Sequence, residues 1–179
     1  LQKTHSHKFE AVRRKLEEQH RHLEKAEQHL QRNLHKELET ARAIQERLLP
    51  HEMPTVPGFE ITGASIPSLQ VGGDYFDFLD QGDGLLGVAI GDVSGKGIPA
   101  ALLMSNLQAS LRAQCDICDS PSEILDRVNR QLHAATDSMH FATVFLAFFD
   151  PRTRRLLYCS GGHDAPVLLD ADGESAKLE

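Results

Sequence analysis

Two aspartates flanked by glycine are the residues whose chemistry stands out in this sequence. Asp74 lies in Val71-Gly-Gly-Asp-Tyr-Phe-Asp77, and Asp92 lies in Ile90-Gly-Asp-Val-Ser-Gly-Lys-Gly97. Carboxylates are the ligands that Mg²⁺ and Mn²⁺ prefer, and flanking glycines allow a backbone carbonyl or a phosphate to approach closely. The same residues are also explained by glycines in turns and aspartates that cap them, which is the commoner situation when composition alone is considered.

The pattern around both aspartates predicts a β-hairpin. We expect strands at 71–79 and 85–93, joined by the turn Asp80-Gln-Gly-Asp-Gly84. Asp74 then lies near the start of one strand and Asp92 near the end of the other, and antiparallel pairing brings those ends side by side. Two adjacent carboxylates repel each other unless one is protonated or a cation lies between them, so this arrangement favours a metal ion.

Other motifs in this region match known sites poorly. Gly91-Asp-Val-Ser-Gly-Lys96 is one residue short of a phosphate-binding loop, and Gly97 stands where Ser or Thr would bind Mg²⁺. Gly95-Lys-Gly-Ile-Pro-Ala100 matches a relaxed dinucleotide fingerprint but lacks the acidic residue expected about twenty positions later. The every-third spacing of four aspartates does not match the alternate-residue ligands of a calcium loop: Asp74, Asp77, Asp80 and Asp83.

Cysteine and histidine give weaker signals. Cys115-Asp-Ile-Cys118 has no second pair, so small residues at a helix end are a commoner explanation than a redox or zinc site. Cys159 is expected in the core. His163 lies in the glycine-rich segment Ser160-Gly-Gly-His-Asp-Ala-Pro166, where a turn histidine bonded to backbone is more usual than a catalytic group.

Strands that precede and follow one pair of helices must position these residues. The helices are expected at 100–113, begun by Pro99, and after Ser120, which forms a capping-box pattern with Glu123. Because strands and helices do not alternate, the sequence predicts an α+β fold with a layered sheet. Four further strands are expected, at Phe59–Ile66, Ala142–Phe149, Leu156–Ser160 and Val167–Leu169.

The first fifty residues predict one long helix that ends at Pro50. Its apolar stripe is too narrow for a globular core but wide enough for a two-stranded seam, so we expect residues 1–50 to form a parallel dimeric coiled coil, with a surface helix as the alternative. Gln19 and Asn33 would fix its register. The stripe has a seven-residue period interrupted by one four-residue stutter: Phe9, Leu16, Leu23, Leu30, Leu34, Ala41 and Leu48.

Charge and composition exclude several classes of protein. Residues 1–50 carry 11 Lys and Arg against 8 Asp and Glu, whereas residues 51–179 carry 8 against 18. A body this acidic repels nucleic acid and anionic lipid. No apolar run approaches the ~20 residues of a membrane span. With three cysteines and no signal peptide we expect a cytoplasmic location, and without an initiator Met we expect a fragment of a larger protein.

Five motifs, in order, resemble the SpoIIE/RsbU-type branch of the bacterial PPM (type 2C-like) metal-dependent serine/threonine phosphatases. Ala41-Arg-Ala-Ile-Gln-Glu-Arg-Leu-Leu-Pro50 resembles the helix that leads into these domains, and the two aspartate motifs resemble their early metal-site motifs. Phe141-Ala-Thr-Val-Phe145 resembles a core strand, and 160–166 resembles a Ser-Ala-Gly-His-Asn-Pro-Pro-like loop. The resemblance spans roughly residues 41–179 and reverses the preference for a metal-free explanation of the aspartates.

The resemblance implies a β-sandwich flanked by helices that binds two or three Mn²⁺ or Mg²⁺ ions. Asp74 and Asp92 would be the metal-binding, catalytic aspartates, and the Val93 carbonyl would be a further ligand. The implied substrate is a phosphorylated regulatory protein, typically a STAS-type anti-sigma-factor antagonist, hydrolysed by metal-activated water without a covalent enzyme intermediate. The resemblance also implies an upstream sensor domain whose signal reaches the phosphatase through the dimeric helix.

The end of the chain departs from the family pattern. The family continues after its histidine loop to a Gly-Asp…Thr-Asp-Gly motif that supplies further metal-binding aspartates, and this motif is absent before Glu179. We therefore expect residues 51–179 to be the N-terminal two-thirds of a phosphatase domain, apparently truncated, with an incomplete metal site and weak or absent activity. The alternative is a non-catalytic dimeric scaffold with a metal-poor, phosphatase-like body.

Overall fold

The computed structural model describes residues 2–67 and 69–178, and side chains from Arg13 onward in the first helix. The chain divides into two compact units, Leu1–Ala41 and Arg42–Glu179. None of the helices in these described ranges is both long and apolar enough to cross a membrane.

The long N-terminal helix is confirmed as α1, Gln2–Glu46. It ends at Glu46, four residues before Pro50. The backbone amides of the next three residues donate to carbonyls three positions earlier, which forms a tighter final turn. Leucines of the seven-residue stripe are strongly exposed, with Leu16 at 65% and both Leu23 and Leu30 at 69%. The stripe position Phe9 falls among the side chains outside the described set.

The second unit contains a four-stranded antiparallel sheet in the order β1-β2-β3-β4. The expected hairpin is confirmed, since β1 pairs with β2 from Tyr75↔Gly91 to Asp80↔Leu86. The strands are β1 Tyr75–Asp80, β2 Leu86–Val93, β3 Ala142–Asp150 and β4 Arg155–Gly161. A separate two-stranded sheet pairs β5, Val167–Leu169, which the sequence predicts, with β6, Ser175–Lys177, which it does not.

Helices α2, Ile98–Cys115, and α3, Pro121–Ala135, contact the sheet and each other. Burial alternates along β1, whereas Val144 to Phe148 of β3 are buried on both faces of the sheet. A sheet with helices packed on it confirms the α+β prediction. Burial of each large apolar side chain stabilises this layer by about 1.5–3 kcal/mol. The core side chains include Tyr75, Leu79, Val93, Met104, Leu107, Leu111, Ile124, Val144, Leu146 and Phe148.

Two local predictions are wrong. Phe59–Ile66 is not a strand: within the described chain only an isolated bridge, Val56↔Phe59, touches it, and Ile66 is 88% exposed. An alternating pattern needs a neighbouring strand to pair with, and here Phe59 instead packs edge-on against Phe149 with ring centroids 4.8 Å apart.

The capping box at the start of α3 does not form. Ser120 is the N-cap residue, but its hydroxyl lies 2.9 Å from that of Ser122 rather than bonding a helix amide. Glu123 pairs with Arg127 at 2.7 Å, one turn along the helix. The ion pair on the helix surface takes the carboxylate that the capping box would have used.

Candidate active site

The hairpin register places Asp74 directly opposite Asp92. The last ladder pair is Tyr75↔Gly91, and beyond it the Val93 amide donates to the Gly73 carbonyl at 3.3 Å. The intervening position is therefore a non-hydrogen-bonded pair, whose Cα atoms lie about 4.5 Å apart with side chains on one face. Both aspartates are exposed. The structure thus brings two carboxylates together at the solvent-accessible end of the hairpin.

This carboxylate pair lies on the sheet face that the helices leave uncovered. Tyr75, Gly91 and Val93 point toward α2 and α3 and are buried, whereas Asp74 and Asp92 alternate with them and are exposed. The next strand continues the row, because Asp92 pairs with Thr143 in the β2–β3 register. Asp74, Asp92 and Thr143 therefore form one polar row across three strands.

Glycine is required beside the aspartates because the strands approach closely there. A Cβ added to Gly73 would lie 2.6 Å from the Val93 carbonyl oxygen, and one added to Gly91 would lie 2.8 Å from the Thr143 carbonyl oxygen. Both contacts involve backbone atoms, so a larger residue would force the strands apart. The glycines of the two motifs thus set the spacing between Asp74, Asp92 and Thr143.

His163 extends the polar row beyond Thr143. Its Nδ1 lies 2.9 Å from Thr143 Oγ1, and the same hydroxyl donates to the Asp92 carbonyl at 3.4 Å. A bridge between Val144 and Gly162 fixes the preceding backbone, with Gly162 at φ +77°. Sequence reasoning expected this ring to bond to backbone, but its partner is a side chain. Thr143 itself was missed, although it is the one polar residue in the otherwise apolar segment 141–149, which was a usable signal.

Asp77, the second aspartate of the first motif, has a structural role on the opposite face. It is fully buried and accepts hydrogen bonds from Tyr75 Oη at 3.0 Å and from the Phe78 amide at 2.9 Å. Arg112 of α2 completes the set with bonds from Nε at 2.8 Å and Nη2 at 2.7 Å. These bonds raise the pKa of Arg112 above its ordinary value, while burial and the neighbouring Asp77 raise the pKa of Tyr75.

Gln45 holds the loop that leads into Asp74. Its Nε2 donates to the Gly72 carbonyl at 2.8 Å, and its Oε1 accepts from the Gly72 amide at 3.0 Å. One side-chain amide thereby fixes both hydrogen-bonding groups of a residue two positions before Asp74. The end of α1 is thus joined directly to the candidate site.

The remaining candidates do not form a site. Cys115 and Cys118 are buried, and burial raises the pKa of the Cys115 thiol to about 11, so it is not a thiolate near neutral pH. Across the described ranges, no group of three or more His, Cys, Asp or Glu side chains could hold a metal ion. Two carboxylates nevertheless fit Mg²⁺ or Mn²⁺, since Mg²⁺ in proteins commonly binds one or two carboxylates and keeps several waters.

Comparison with solved structures indicates the class of fold. The SiaA-PP2C domain of Pseudomonas aeruginosa superposes with a TM-score of 0.57 at 21% identity, over 73% of this chain and 54% of that one. A structure of the RsbU and RsbW domains of a Mycobacterium tuberculosis protein gives a TM-score of 0.56 at 33% identity, over 63% and 31%. The fold is therefore that of a PP2C-like domain.

Sequence comparison identifies the family. The family model for Stage II sporulation protein E (SpoIIE) matches residues 82–179. Phosphoserine phosphatase RsbU of Bacillus subtilis is 33% identical over 134 residues, which are 75% of this chain and 40% of RsbU. Phosphoserine phosphatase RsbP of the same organism is 26% identical over 145 residues, 79% of this chain and 36% of RsbP. The chain belongs to the SpoIIE family, in the RsbU-type branch of the PPM phosphatases, and it spans at most 40% of these curated relatives.

Proposed function

We propose that this chain forms part of a metal-dependent protein phosphatase that hydrolyses phosphoserine or phosphothreonine in a regulatory protein. The observation that carries the proposal is the opposed pair of Asp74 and Asp92 on an exposed sheet face. Like charges directly opposite each other destabilise a sheet, so their placement needs a compensating reason. The names of RsbU and RsbP, both phosphoserine phosphatases, support the same reaction.

Asp74, Asp92 and the Val93 carbonyl would hold Mn²⁺ or Mg²⁺, two ions or more. Such ions, when bound, make hydroxide available near neutral pH and offset the charge of a phosphoryl group. The protein itself supplies an open face that admits a phosphorylated loop. Without cations the two carboxylates would repel a phosphate dianion, so substrate binding at this face also requires the metal.

We further propose a class of substrate and a cellular location. A STAS-type anti-sigma-factor antagonist as the substrate follows from the family resemblance, and a cytoplasmic location is consistent with three free cysteines. We assign residues 1–50 to a coiled-coil helix and residues 51–179 to the phosphatase-type body.

Control by an upstream sensor would act through a homodimer formed by residues 1–50. The exposed leucine stripe of α1 supports this, because Leu16, Leu23 and Leu30 present apolar surface at the period of a coiled coil. The Gln45–Gly72 bonds give a change in α1 a direct route to Asp74. The double substitution Gln19→Leu and Asn33→Leu should hold the coiled coil in one conformational state. If neither that change nor loss of dimerisation alters the activity of the full-length protein, the proposal that α1 transmits a sensor signal is wrong.

The test of the reaction is phosphate release from a phosphoserine protein in Mn²⁺ buffer, using the full-length protein that carries this sequence. Asp74→Asn and Asp92→Asn should each lower kcat/KM by at least 10²-fold. Asp80→Asn is the matched control, because Asp80 is exposed on the same face of β1, six residues from Asp74. Equal rates in all four proteins would remove the proposal.

A non-catalytic dimeric scaffold remains the second candidate, because no ligand group of three or more side chains occurs in the described part of the chain. Metal binding distinguishes the scaffold from the phosphatase. Calorimetry that shows no Mn²⁺ affinity, together with retained binding of a phosphoprotein partner, would favour the scaffold.

A further inference from the structure

The segment before β3 presents two large apolar side chains to solvent at the end of the sheet that carries the carboxylate pair. Met139 is 77% exposed and Phe141 is 62% exposed. Exposed apolar surface rimmed by polar residues marks sites of protein interaction, and Met and Phe are both enriched in protein interfaces. Residues 137–141, named here the apolar loop, therefore have the composition of a contact surface.

Ser94 fixes the position of the apolar loop relative to Asp92. The Ser94 amide donates to the Phe141 carbonyl at 2.8 Å, and the Phe141 amide donates to Ser94 Oγ at 2.9 Å. The same hydroxyl donates to the Met139 carbonyl at 3.4 Å. Because Asp92 pairs with Thr143, the bonds between Ser94 and Phe141 continue that strand pairing by two residues. Phe141 thus lies one strand spacing from the segment that carries Asp92.

Alternation along the two strands places Phe141 on the sheet face of Asp92. Val93 is 1% exposed, and Ala142 packs against the core on the helix side. Neighbouring residues point to opposite faces, so Phe141 shares the open face with Thr143 and Asp92. Diagonal neighbours in an antiparallel pair lie about 7–8 Å apart, within reach of an aromatic side chain. A phosphorylated residue at the carboxylate pair would have Phe141 beside its flanking residues.

The apolar loop has internal hydrogen bonds that hold its shape. Asp137 Oδ1 accepts from the Met139 amide at 2.9 Å and lies 2.7 Å from His140 Nδ1. The His140 ring and the Met139 amide hold the pKa of Asp137 below its ordinary value. A contact surface that is already ordered loses less conformational entropy when a partner binds. The loop is therefore suited to binding another chain through Met139 and Phe141.

We propose that Phe141 and Met139 bind the polypeptide that flanks the phosphorylated serine or threonine, and so select a protein substrate over a small phosphate ester. The inference rests on the proposed function, and it names the part of the substrate that the carboxylates and their cations do not recognise. An extended chain advances about 3.3 Å per residue, so a gap of about 7–8 Å corresponds to two positions. The residue bound by Phe141 is an apolar one two positions from the phosphorylated residue.

The experiment measures kcat and KM of the full-length protein in Mn²⁺ buffer on a phosphoserine protein and on p-nitrophenyl phosphate, which carries no polypeptide. Phe141→Ser should raise KM for the phosphoserine protein about 10-fold and change its kcat less than about 2-fold, because it removes binding rather than chemistry. KM for p-nitrophenyl phosphate should change less than about 3-fold. Met139→Ser should act in the same direction, and Phe141→Leu should restore most of the affinity.

Ile117→Ser is the matched control and should change neither substrate's KM. Ile117 is 69% exposed and follows the end of α2, whose 18 residues place it about 27 Å from Ile98, the end nearer Ser94. A pair of phosphoserine peptides tests the bound residue directly. The wild type should prefer leucine over serine two positions from the phosphoserine, and Phe141→Ser should lose that preference.

The possible results distinguish this inference from the proposed function. With an active wild type, an unchanged KM for Phe141→Ser on the phosphoserine protein, or equal increases on both substrates, would overturn the role of Phe141 alone. A thermal midpoint lowered more by Phe141→Ser than by Ile117→Ser would show that another part of the protein covers this side chain, and would also overturn it. Loss of self-association in Phe141→Ser would do the same by identifying a second copy as the partner. A wild type inactive on both substrates would overturn the proposed function and this inference together.

Discussion

Arg112 should be the main support for the buried carboxylate of Asp77. The Asp77 side chain is 0% exposed and accepts four hydrogen bonds, two of which come from Arg112. Replacing Arg112 by Met keeps much of the side-chain stem but leaves a buried carboxylate with only the Tyr75 and Phe78 donors. Loss of one partner from a fully buried ion pair costs about 3–5 kcal/mol.

That figure must be reduced because the arginine is not fully buried. The Arg112 side chain is 50% exposed, so water can partly replace its guanidinium beside Asp77. We therefore expect Arg112→Met to lower the free energy of unfolding by about 2–3 kcal/mol, a large part of the 5–15 kcal/mol of an ordinary domain.

Urea unfolding followed by circular dichroism measures this loss. Arg127→Met is the matched control, since Arg127 pairs with Glu123 on the surface of α3 and should lose less than about 0.5 kcal/mol. The double variant Asp77→Asn with Arg112→Met should be less destabilised than the sum of its single changes. If Arg112→Met behaves like Arg127→Met, the reasoning about the buried pair is wrong.

Three further predictions concern the hairpin and the core. In EDTA, Asp74→Asn should raise the free energy of unfolding by about 0.5 kcal/mol because it removes a like-charge pair, and an unchanged or lower thermal midpoint would contradict this. Gly73→Ala should destabilise by about 1–3 kcal/mol in urea, because its Cβ would lie 2.6 Å from a carbonyl oxygen, whereas Gly72→Ala, with 3.5 Å to Pro67, should be mild. Above pH 9 the unfolded Cys115 thiol loses its proton while the folded one keeps it to about 11, so stability should fall as pH rises. Tyr75, whose pKa is also raised by burial, adds to this loss of stability above pH 10. If burial of the Cys115 thiol causes the fall between pH 9 and 10, the free energy of unfolding of Cys115→Ala should depend less on pH in that range.

The parts of the fold predicted from sequence are those set by local signals. The turn 80–84 and the alternation around it predict the hairpin, and its register then brings Asp74 to Asp92. Thr143 contacts Asp92, 51 residues earlier on β2, and His163, 20 residues later in the loop after β4, and spacing along the chain carries no signal for either contact. Phe59–Ile66 has the strand pattern without a partner strand in the described chain, which local reasoning cannot detect.

The role of Asp77 shows the same limit within one motif. Its position, three residues after Asp74, puts it on the opposite face of β1, so alternation alone predicts that it points toward the helices. Its partner, Arg112, lies 35 residues away on α2, and only the packed structure shows that the charge is paired.

Asp74 and Asp92 are proposed to bind a divalent cation together. Isothermal titration of the full-length protein with Mn²⁺ tests it without reference to activity. We expect binding by the wild type and by Asp80→Asn, with affinity at least 10-fold weaker for Asp74→Asn and Asp92→Asn. Equal affinity in all four proteins, or none in the wild type, would contradict it.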